Sequence, residues 1–332
     1  MKRENHLIAR IADPDNLRLA FWKARKGKEG KIEVLCFRKS LDKNLLLLRD
    51  ELLSGNIDVG NYNYFTIHDP KERLICAATF RERVLHHAIM NVCHANFEKY
   101  QIFDSYASRM GKGTFAALER AKGFQQKYKW FLKLDVRKYF DSIDHEKLKI
   151  MLVNMFKDKA LLNVFNHIID SYKTATGKGL PIGNLTSQYF ANHYLAFADH
   201  YLKEKLQATA YIRYMDDMVI WANNKDFLLR VGIKFQQFVK SELNLTLKPF
   251  CLNSTEKGLP FLGFVIFQST VLLNSSSRKR FKVKLRHYTY KLHNEEWNQS
   301  EYQAHVLPLI AFIRQANTYS LRSKYIEMLK TG

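Results

Sequence analysis

The sequence predicts an α+β fold, an antiparallel sheet covered by helices on one face. Apolar strand-like runs alternate with helical patterns through the middle of the chain, and several runs come in pairs. The 332 residues are 46% hydrophobic and 13% aromatic, enough for a substantial core and two or three structural units, and against disorder.

Taken in order, Leu41, Leu45, Leu48 and Leu52 stand at helical spacing, with Gly55 as the stop. NYNYFTIHD and LICAATF read as two strands around a PKER turn. RERVLHHAIMNVCHANFEKY reads as a helix; SYASRMGKG is a basic loop, and Thr114 is placed to cap the helix after it. Trp130 to Leu134 form a buried strand with Asp135 near its end. SIDHEKLKIMLVNMF is helical, with Ser142 or Asp144 near its cap. GKGLPIGNLTSQ is a loop leading into a helix that starts near Thr186 or Ser187 and carries Phe190, Tyr194, Phe197 and Tyr201 at its spacing. AYIRYMDDMVIWAN reads as two apolar strands joined at the aspartates, DFLLRVGIKFQQFVKSELNL as a helix and LPFLGFVIF as a strand. From Ser275 the chain turns strongly basic and helical, the best internal boundary.

Charge narrows the function. Lys and Arg number 53 against 32 Asp and Glu, a formal net charge of +21. A chain this basic is drawn to a polyanion, and nucleic acid leads because phosphate neutralisation releases counterions. Ribosome-like basicity and an anionic membrane surface are the alternatives. No apolar run is long enough to cross a bilayer, and no long basic amphipathic helix favours a membrane. The charged start, MKRENHLIARIADPDN, lacks a secretory apolar stretch. Cys36, Cys76, Cys93 and Cys251 form no CxxC pair, which speaks against a zinc site or disulfide framework and for a reducing cytoplasm. His86 and His87 have no partner at ligand spacing and read as helix histidines.

The chemistry concentrates at Asp216 and Asp217, with Asp135 on its own strand. An Asp-Asp pair in a turn is ordinarily a solvated turn. Here apolar strands flank the pair, and if the strands are neighbours Asp135 and Asp216 converge at the sheet edge. Carboxylates crowded into a partly dry site need cations. Magnesium suits hard oxygen ligands and substrate phosphates. Two such ions would stabilise both the attacking and the leaving oxygen of a phosphoryl displacement.

These residues resemble the reverse transcriptases. YMDD resembles that family's signature, LKLDVRKYFDSIDHEKL the motif with the first metal-binding Asp, and GLPIGNLTSQYFAN the element under the nascent base pair. GLPFLGFVIF resembles the strand pair gripping the primer end, and RLICAATFRERVLHHAI and SYASRMGKGTFAAL the fingers motifs, in order from about Arg73 to Phe267. The resemblance implies a right-hand polymerase: residues 1–129 as N-terminal extension and fingers, 130–274 as palm with fingers elements interleaved, and 275–332 as a helical thumb. It implies two Mg2+ ions, or Mn2+ in their place, on Asp135, Asp216 and the Val136 carbonyl, with Asp217 flanking or joining them as ligand. Asp135, Asp216 and Asp217 would be catalytic. Phe140 falls at the sugar gate, against a ribose 2′-OH, and Tyr139 reads as packing. Arg73 matches a residue that meets the incoming triphosphate; Lys71 and Arg109 are secondary candidates. Gln188 and Ser187 would lie near the nascent pair, with a helix cap as the plain role for Ser187. Lys248 would protonate pyrophosphate, although LNLTLKPF fits the motif poorly. The basic run Arg278 to Arg286 would hold a duplex backbone, with Tyr288 and Tyr290 packing on the thumb's own helices.

Ile182 stands where many relatives carry Gln before the loop glycine, and IGNLTSQ is similar to the reverse transcriptases of diversity-generating retroelements. That resemblance implies error-prone, adenine-directed cDNA synthesis from a template-repeat RNA to diversify a target gene. Its partners would be template RNA, primer or cDNA, deoxynucleoside triphosphates and an oligomeric basic accessory variability protein, in a bacterial or phage setting without a membrane. Losing a polar contact at Ile182 reduces discrimination between right and wrong pairs. With little chain after the thumb, maturase and endonuclease extensions are not expected, and the late Val-Thr-Gly of retron enzymes is not found. A retron-like or phage-defence reverse transcriptase and, further off, a non-catalytic RNA-binding scaffold are the alternatives.

Overall fold

A computed structural model describes residues 4–68 and 72–324. The chain opens with four helices, α1 (Leu7–Ile11), α2 (Pro14–Arg25), α3 (Ile32–Lys39) and α4 (Leu41–Ser54). Only α4 is legible from leucine spacing, and it ends at Gly55 with φ 78°, as expected of a left-handed cap. The start of α2 carries a signal left unread above: Asp13 accepts from the Asp15 and Asn16 amides, and Pro14 takes the first helical position. A hairpin follows, β1 (Tyr62–Ile67) with β2 (Arg73–Ala78), then the long helix α5 (Phe80–Tyr100) and α6 (Thr114–Lys127). Thr114 does not cap α6. Gly113, at φ 106°, holds the N-cap, and the Thr114 hydroxyl donates to the Tyr214 hydroxyl instead.

The central segment contains β3 (Trp130–Asp135), a turn of helix α7 (Tyr139–Ser142), α8 (His145–Met155), α9 (Lys159–Asp170) and α10 (Leu185–His200), which runs on into a π-helical turn at Tyr201–Lys205. Asp144 is the cap of α8, accepting from the Lys147 amide, while Ser142 donates to the Arg137 and Lys138 carbonyls. The cap of α10 is Asn184, ahead of both Thr186 and Ser187, which are buried inside the first turn. Helix α9 was also unread. Asp158 caps it and accepts the Leu7 and Ile8 amides at 2.6 and 2.9 Å, so one buried carboxylate ties the two helix starts α9 and α1 together.

Next come β4 (Tyr211–Tyr214), β5 (Asp217–Ala222), α11 (Lys225–Leu243), β6 (Cys251–Ser254), β7 (Leu259–Phe261), β8 (Phe264–Ile266), β9 (Val271–Leu273), α12 (Ser275–His293) and α13 (Gln299–Ile313). LPFLGFVIF is two strands rather than one. The chain reverses at Leu262 and Gly263, φ 49° and 91°, and a Cβ on Gly263 would lie 2.7 Å from the Ser277 hydroxyl.

The main sheet is antiparallel in the order β4-β5-β3-β6. Side chains alternate across it. Leu132, Leu134, Tyr211, Met218 and Ile220 join the large core shared with α5 and α8 to α11. Phe131, Ile212, Val219 and Trp221 face the other way, into a second core with α6 and the β7-β8-β9 sheet. The expectation of helices on one face is therefore incomplete: the second face is covered too, because the LPFLGFVIF hairpin folds back over it. Phe281, Leu285 and Ile313 make a small third core joining α12 to α13. Among the described residues no helix is long and apolar enough to cross a membrane.

Candidate active site

Strand register builds the site. In the antiparallel β3–β5 pair Asp135 stands directly opposite Asp217, and Lys133 opposite Val219. Directly opposed side chains share a face, as do residues two apart on one strand. Lys133, Asp135 and Asp217 therefore project together. Asp216 sits in the two-residue turn Met215–Asp216 that joins β4 to β5. So it is Asp217 that the register sets against Asp135, with Asp216 above them at the tip.

The turn is held from beneath. Met215 adopts φ 53°, a conformation costing a non-glycine residue roughly 1–3 kcal/mol. Arg213, fully buried on the core face, donates to the Met215 carbonyl at 3.2 Å. The same guanidinium pairs with buried Asp199 of α10, 2.7 Å from its carboxylate, and reaches the Asn192 carbonyl oxygens of side chain and backbone and the Gln101 side chain. Tyr211 donates to Asp199 as well. A buried charge pair survives only when its remaining donors and acceptors are satisfied in this way.

Two lysines neutralise the carboxylates. The Lys133 ammonium lies 3.1 and 3.2 Å from the two Asp217 oxygens. The Lys248 ammonium lies 2.8 Å from Asp135 Oδ2, and its amide donates to the Asp135 carbonyl. Burial pushes the Asp217 pKa up to about 6; Lys133 opposes the rise, and Asp135 and Asp216 add to it. Asp216 is raised by burial and by Asp135, against its own backbone amide and the pull of Lys248 and Arg73. Among the described residues no three His, Cys, Asp or Glu side chains form a ready-made metal cage. Asp135 Oδ1 and Asp217 Oδ1 are nevertheless buried without a hydrogen bond, the latter near Lys133 but out of line with it. Orphaned hard oxygen donors of this kind fit a divalent cation such as Mg2+.

The other predicted residues gather around this centre to differing degrees. Val136 pairs with Leu247: the Asp135 carbonyl and Arg137 amide bond the Lys248 and Thr246 backbone. The Val136 carbonyl therefore faces the opposite edge, toward β5. Phe140 is half-buried, whereas Tyr139 is buried and donates to the Ala191 carbonyl. Arg73 is exposed at the start of β2, near enough for its charge to act on Asp216. The loop at Ile182 is zipped onto β2: the Cys76 amide donates to the Ile182 carbonyl and the Ala78 amide to the Asn184 side chain. Ile182 is half-buried beside Gly183, whose φ is 123°. Gln188 is half-buried and accepts from the Ser108 hydroxyl.

Some expectations need correction. Arg109, a secondary candidate, is committed to protein partners: it grips Glu98 through Nε and Nη2 and donates to the Ile102 and Ser105 carbonyls. Ser187 is buried and is not the helix cap. Lys248, expected from a poorly fitting motif, lies on Asp135. His86 is buried, with its pKa pushed down to about 3 by burial first and then by His87 and Arg83, so it is neutral. Tyr288 packs on Trp297 and His305, but Tyr290 is exposed. Lys71 lies outside the described residues. The sequence reading missed Arg213, Asp199 and Lys133. Period-two alternation carried the signal for Arg213, which shares a strand face with buried Tyr211.

Known proteins share this architecture. The family profile described as reverse transcriptase (RNA-dependent DNA polymerase) matches residues 68–266. The COX1/OXI3 intron 2 protein of Saccharomyces cerevisiae is 24% identical over 135 residues, covering 38% of this chain and 16% of its own length. The COX1/OXI3 intron 1 protein of the same yeast is 23% identical over 215 residues, 60% of this chain and 25% of its own length. The chain thus spans a quarter or less of these relatives. A solved structure of telomerase from Candida tropicalis, in complex with a TWJ fragment of telomeric RNA, superposes with a TM-score of 0.51 at 13% identity, over 86% of this chain and 58% of that one. The shared fold is the right-hand polymerase fold.

A raised carboxylate pKa means that the folded state holds the proton more tightly than the unfolded chain does. Asp217 therefore removes stability as pH rises from roughly 4, the ordinary carboxylate value, to about 6, and the deficit is full above that. In chelator, Asp217→Asn is expected to be more stable than wild type at pH 7.5, by on the order of 2 kcal/mol, with the gap closing near pH 4. Urea denaturation across pH checks this; an equal gap at both ends contradicts it.

Proposed function

The chain belongs to the reverse transcriptase (RNA-dependent DNA polymerase) family, and from that premise we propose that it extends a DNA strand on an RNA template at Asp135, Asp216 and Asp217. The observation that carries the reading is the register of β3 on β5, with Asp135 facing Asp217 beneath the Asp216 turn. In this reading residues 1–129 serve as N-terminal extension and fingers, 130–274 as palm and 275–332 as thumb.

Asp135, Asp216 and the Val136 carbonyl would hold two Mg2+ ions, with Asp217 beside them, and such ions supply Lewis acidity to phosphoryl oxygens. The chain's own residues do the rest. Arg73 grips triphosphate oxygens, for which a permanently charged fork is suited. The half-buried Phe140 ring closes the space a ribose 2′-OH would need, while Tyr139 stays in the core. The Gln188 amide, steadied by Ser108, reaches toward the nascent pair. Lys248, held on Asp135, would protonate a departing pyrophosphate. Exposed Arg278, Lys279 and Arg286 on α12 hold backbone phosphates.

The finer reading is a diversity-generating enzyme that copies a template-repeat RNA with errors opposite adenine, working with an oligomeric basic accessory protein. Ile182 supports it. An aliphatic side chain there packs against the incoming nucleotide where a Gln would hydrogen-bond it. A binding pocket without that polar contact separates right from wrong pairs by less free energy.

Primer extension on an RNA template with Asp216→Asn tests the activity. Extension is expected to fall at least a thousandfold while primer–template affinity stays within threefold; a variant that still extends normally overturns the reading. For the finer reading, cDNA made by wild type and Ile182→Gln is sequenced. The expected result is fewer substitutions opposite adenine in the variant, and an unchanged spectrum removes Ile182 as the cause.

A further inference from the structure

Lys133 adds a polar link between two sheets that share an apolar core. It stands on β3 two residues before Asp135, on the same face, and its ammonium donates to two acceptors. One is Asp217 Oδ2, at 3.2 Å, with Oδ1 of the same carboxylate ion-paired at 3.1 Å. The other is the Pro260 carbonyl on β7, at 2.7 Å. Strand β7 is the outer strand of the β7-β8-β9 sheet and pairs only with β8. Proline on such a strand has no amide to offer, which fits a position at an open edge. Its carbonyl takes its hydrogen bond from Lys133, in the other sheet. Lysine suits this post: a compact ammonium carries three donors on a flexible stem, enough to serve a carboxylate and a carbonyl on different sheets at once.

We propose that Lys133 is a positioning residue that locks the β7–β8 hairpin to the carboxylate cluster, so that a DNA 3′ end lying on the hairpin is held in register with Asp135 and Asp216. The second half of this statement rests on the polymerase reading; the first half does not. Two features separate this role from simple neutralisation of Asp217. The shortest of the three contacts goes to the hairpin and not to the carboxylate. The hairpin also has its own reason to move as a unit, since Leu262 and Gly263 at its tip both take positive φ and fix a tight reversal.

The test compares wild type, Lys133→Met, Asp217→Asn and Lys133→Met/Asp217→Asn. The double variant removes the ammonium without leaving a bare buried carboxylate, and so remains informative if Lys133→Met alone folds poorly. Hydrogen exchange is first measured in chelator without nucleic acid. The Phe261 to Ile266 amides are expected to exchange at least tenfold faster in the double variant than in Asp217→Asn, with β3 and β5 unchanged. Equal exchange in those two proteins overturns the lock. The seating of the primer is then read without turnover, from the fluorescence of 2-aminopurine at the 3′ end of a DNA primer on an RNA template. The double variant is expected to differ from Asp217→Asn by at least twofold in that signal, at equal primer–template affinity. If Lys133 only neutralises Asp217, it has nothing left to do in that background, and equal signals overturn the positioning role. If wild type itself fails to extend primers while the exchange difference holds, the lock stands and the polymerase reading falls.

Discussion

Like charges are forced together at the end of two strands. Because β3 and β5 pair in antiparallel register, Asp135 and Asp217 face each other across the sheet, and the turn adds Asp216. Burial raises the free energy of ionising Asp216 and Asp217, and the neighbouring carboxylates raise it further. What the surroundings do is supply positive charge at short range and keep the geometry from relaxing. Lys248 comes from the segment after α11, Lys133 from β3 itself, and Arg73 from the hairpin before α5. Cations from three separate stretches of chain thus converge on one acidic point. The net positive charge of the whole molecule acts over a longer range, drawing in a polyanion whose own phosphates would otherwise be repelled by the same aspartates.

Geometry is kept by a different device. A turn with a non-glycine residue at positive φ would relax if its carbonyl were free, and Arg213 holds that carbonyl from the core side. The guanidinium is in turn fixed by Asp199, Asn192 and Gln101, which come from α10 and the end of α5. The large helical core therefore sets the position of the acidic turn through one buried cation. Removing either member of a buried pair typically destabilises by about 3–5 kcal/mol, because the survivor is left uncompensated. The opposite face of the sheet contributes Lys133 and the Pro260 carbonyl, so the acidic strand ends lie between the helical core and the small β7–β8 hairpin.

How much of this was readable in the residues depends on the range of the interaction. Helices α4, α5, α8, α10 and α11 and strands β1 to β5 follow from spacing and apolar runs, which are local. Asp135, Asp216 and Asp217 were visible because carboxylates at the ends of apolar strands are out of place unless something requires them. Arg213 was hidden by composition: in a chain with 53 basic residues, one more beside an acidic motif reads as surface. Arg109 failed for the converse reason, since its commitment to Glu98 is a tertiary fact. Thr114 and Ser187 were misplaced as caps because Gly113 and Asn184 hold those positions. Lys248 could be placed only once its segment was seen to run against the end of β3. The N-terminal helices α1 to α3 and helix α9 went unread although Asp13-Pro14 and Asp158 carry ordinary start signals.

The proposed function requires the three aspartates to form one cation-binding centre. Electron paramagnetic resonance of Mn2+ titrated into the full chain, with RNA template, DNA primer and a non-hydrolysable deoxynucleotide present, reads this without relying on turnover. Wild type is expected to bind the ion at least tenfold more tightly than either Asp135→Asn or Asp216→Asn, with all three proteins equally folded. Equal Mn2+ affinity in the three would contradict the centre itself.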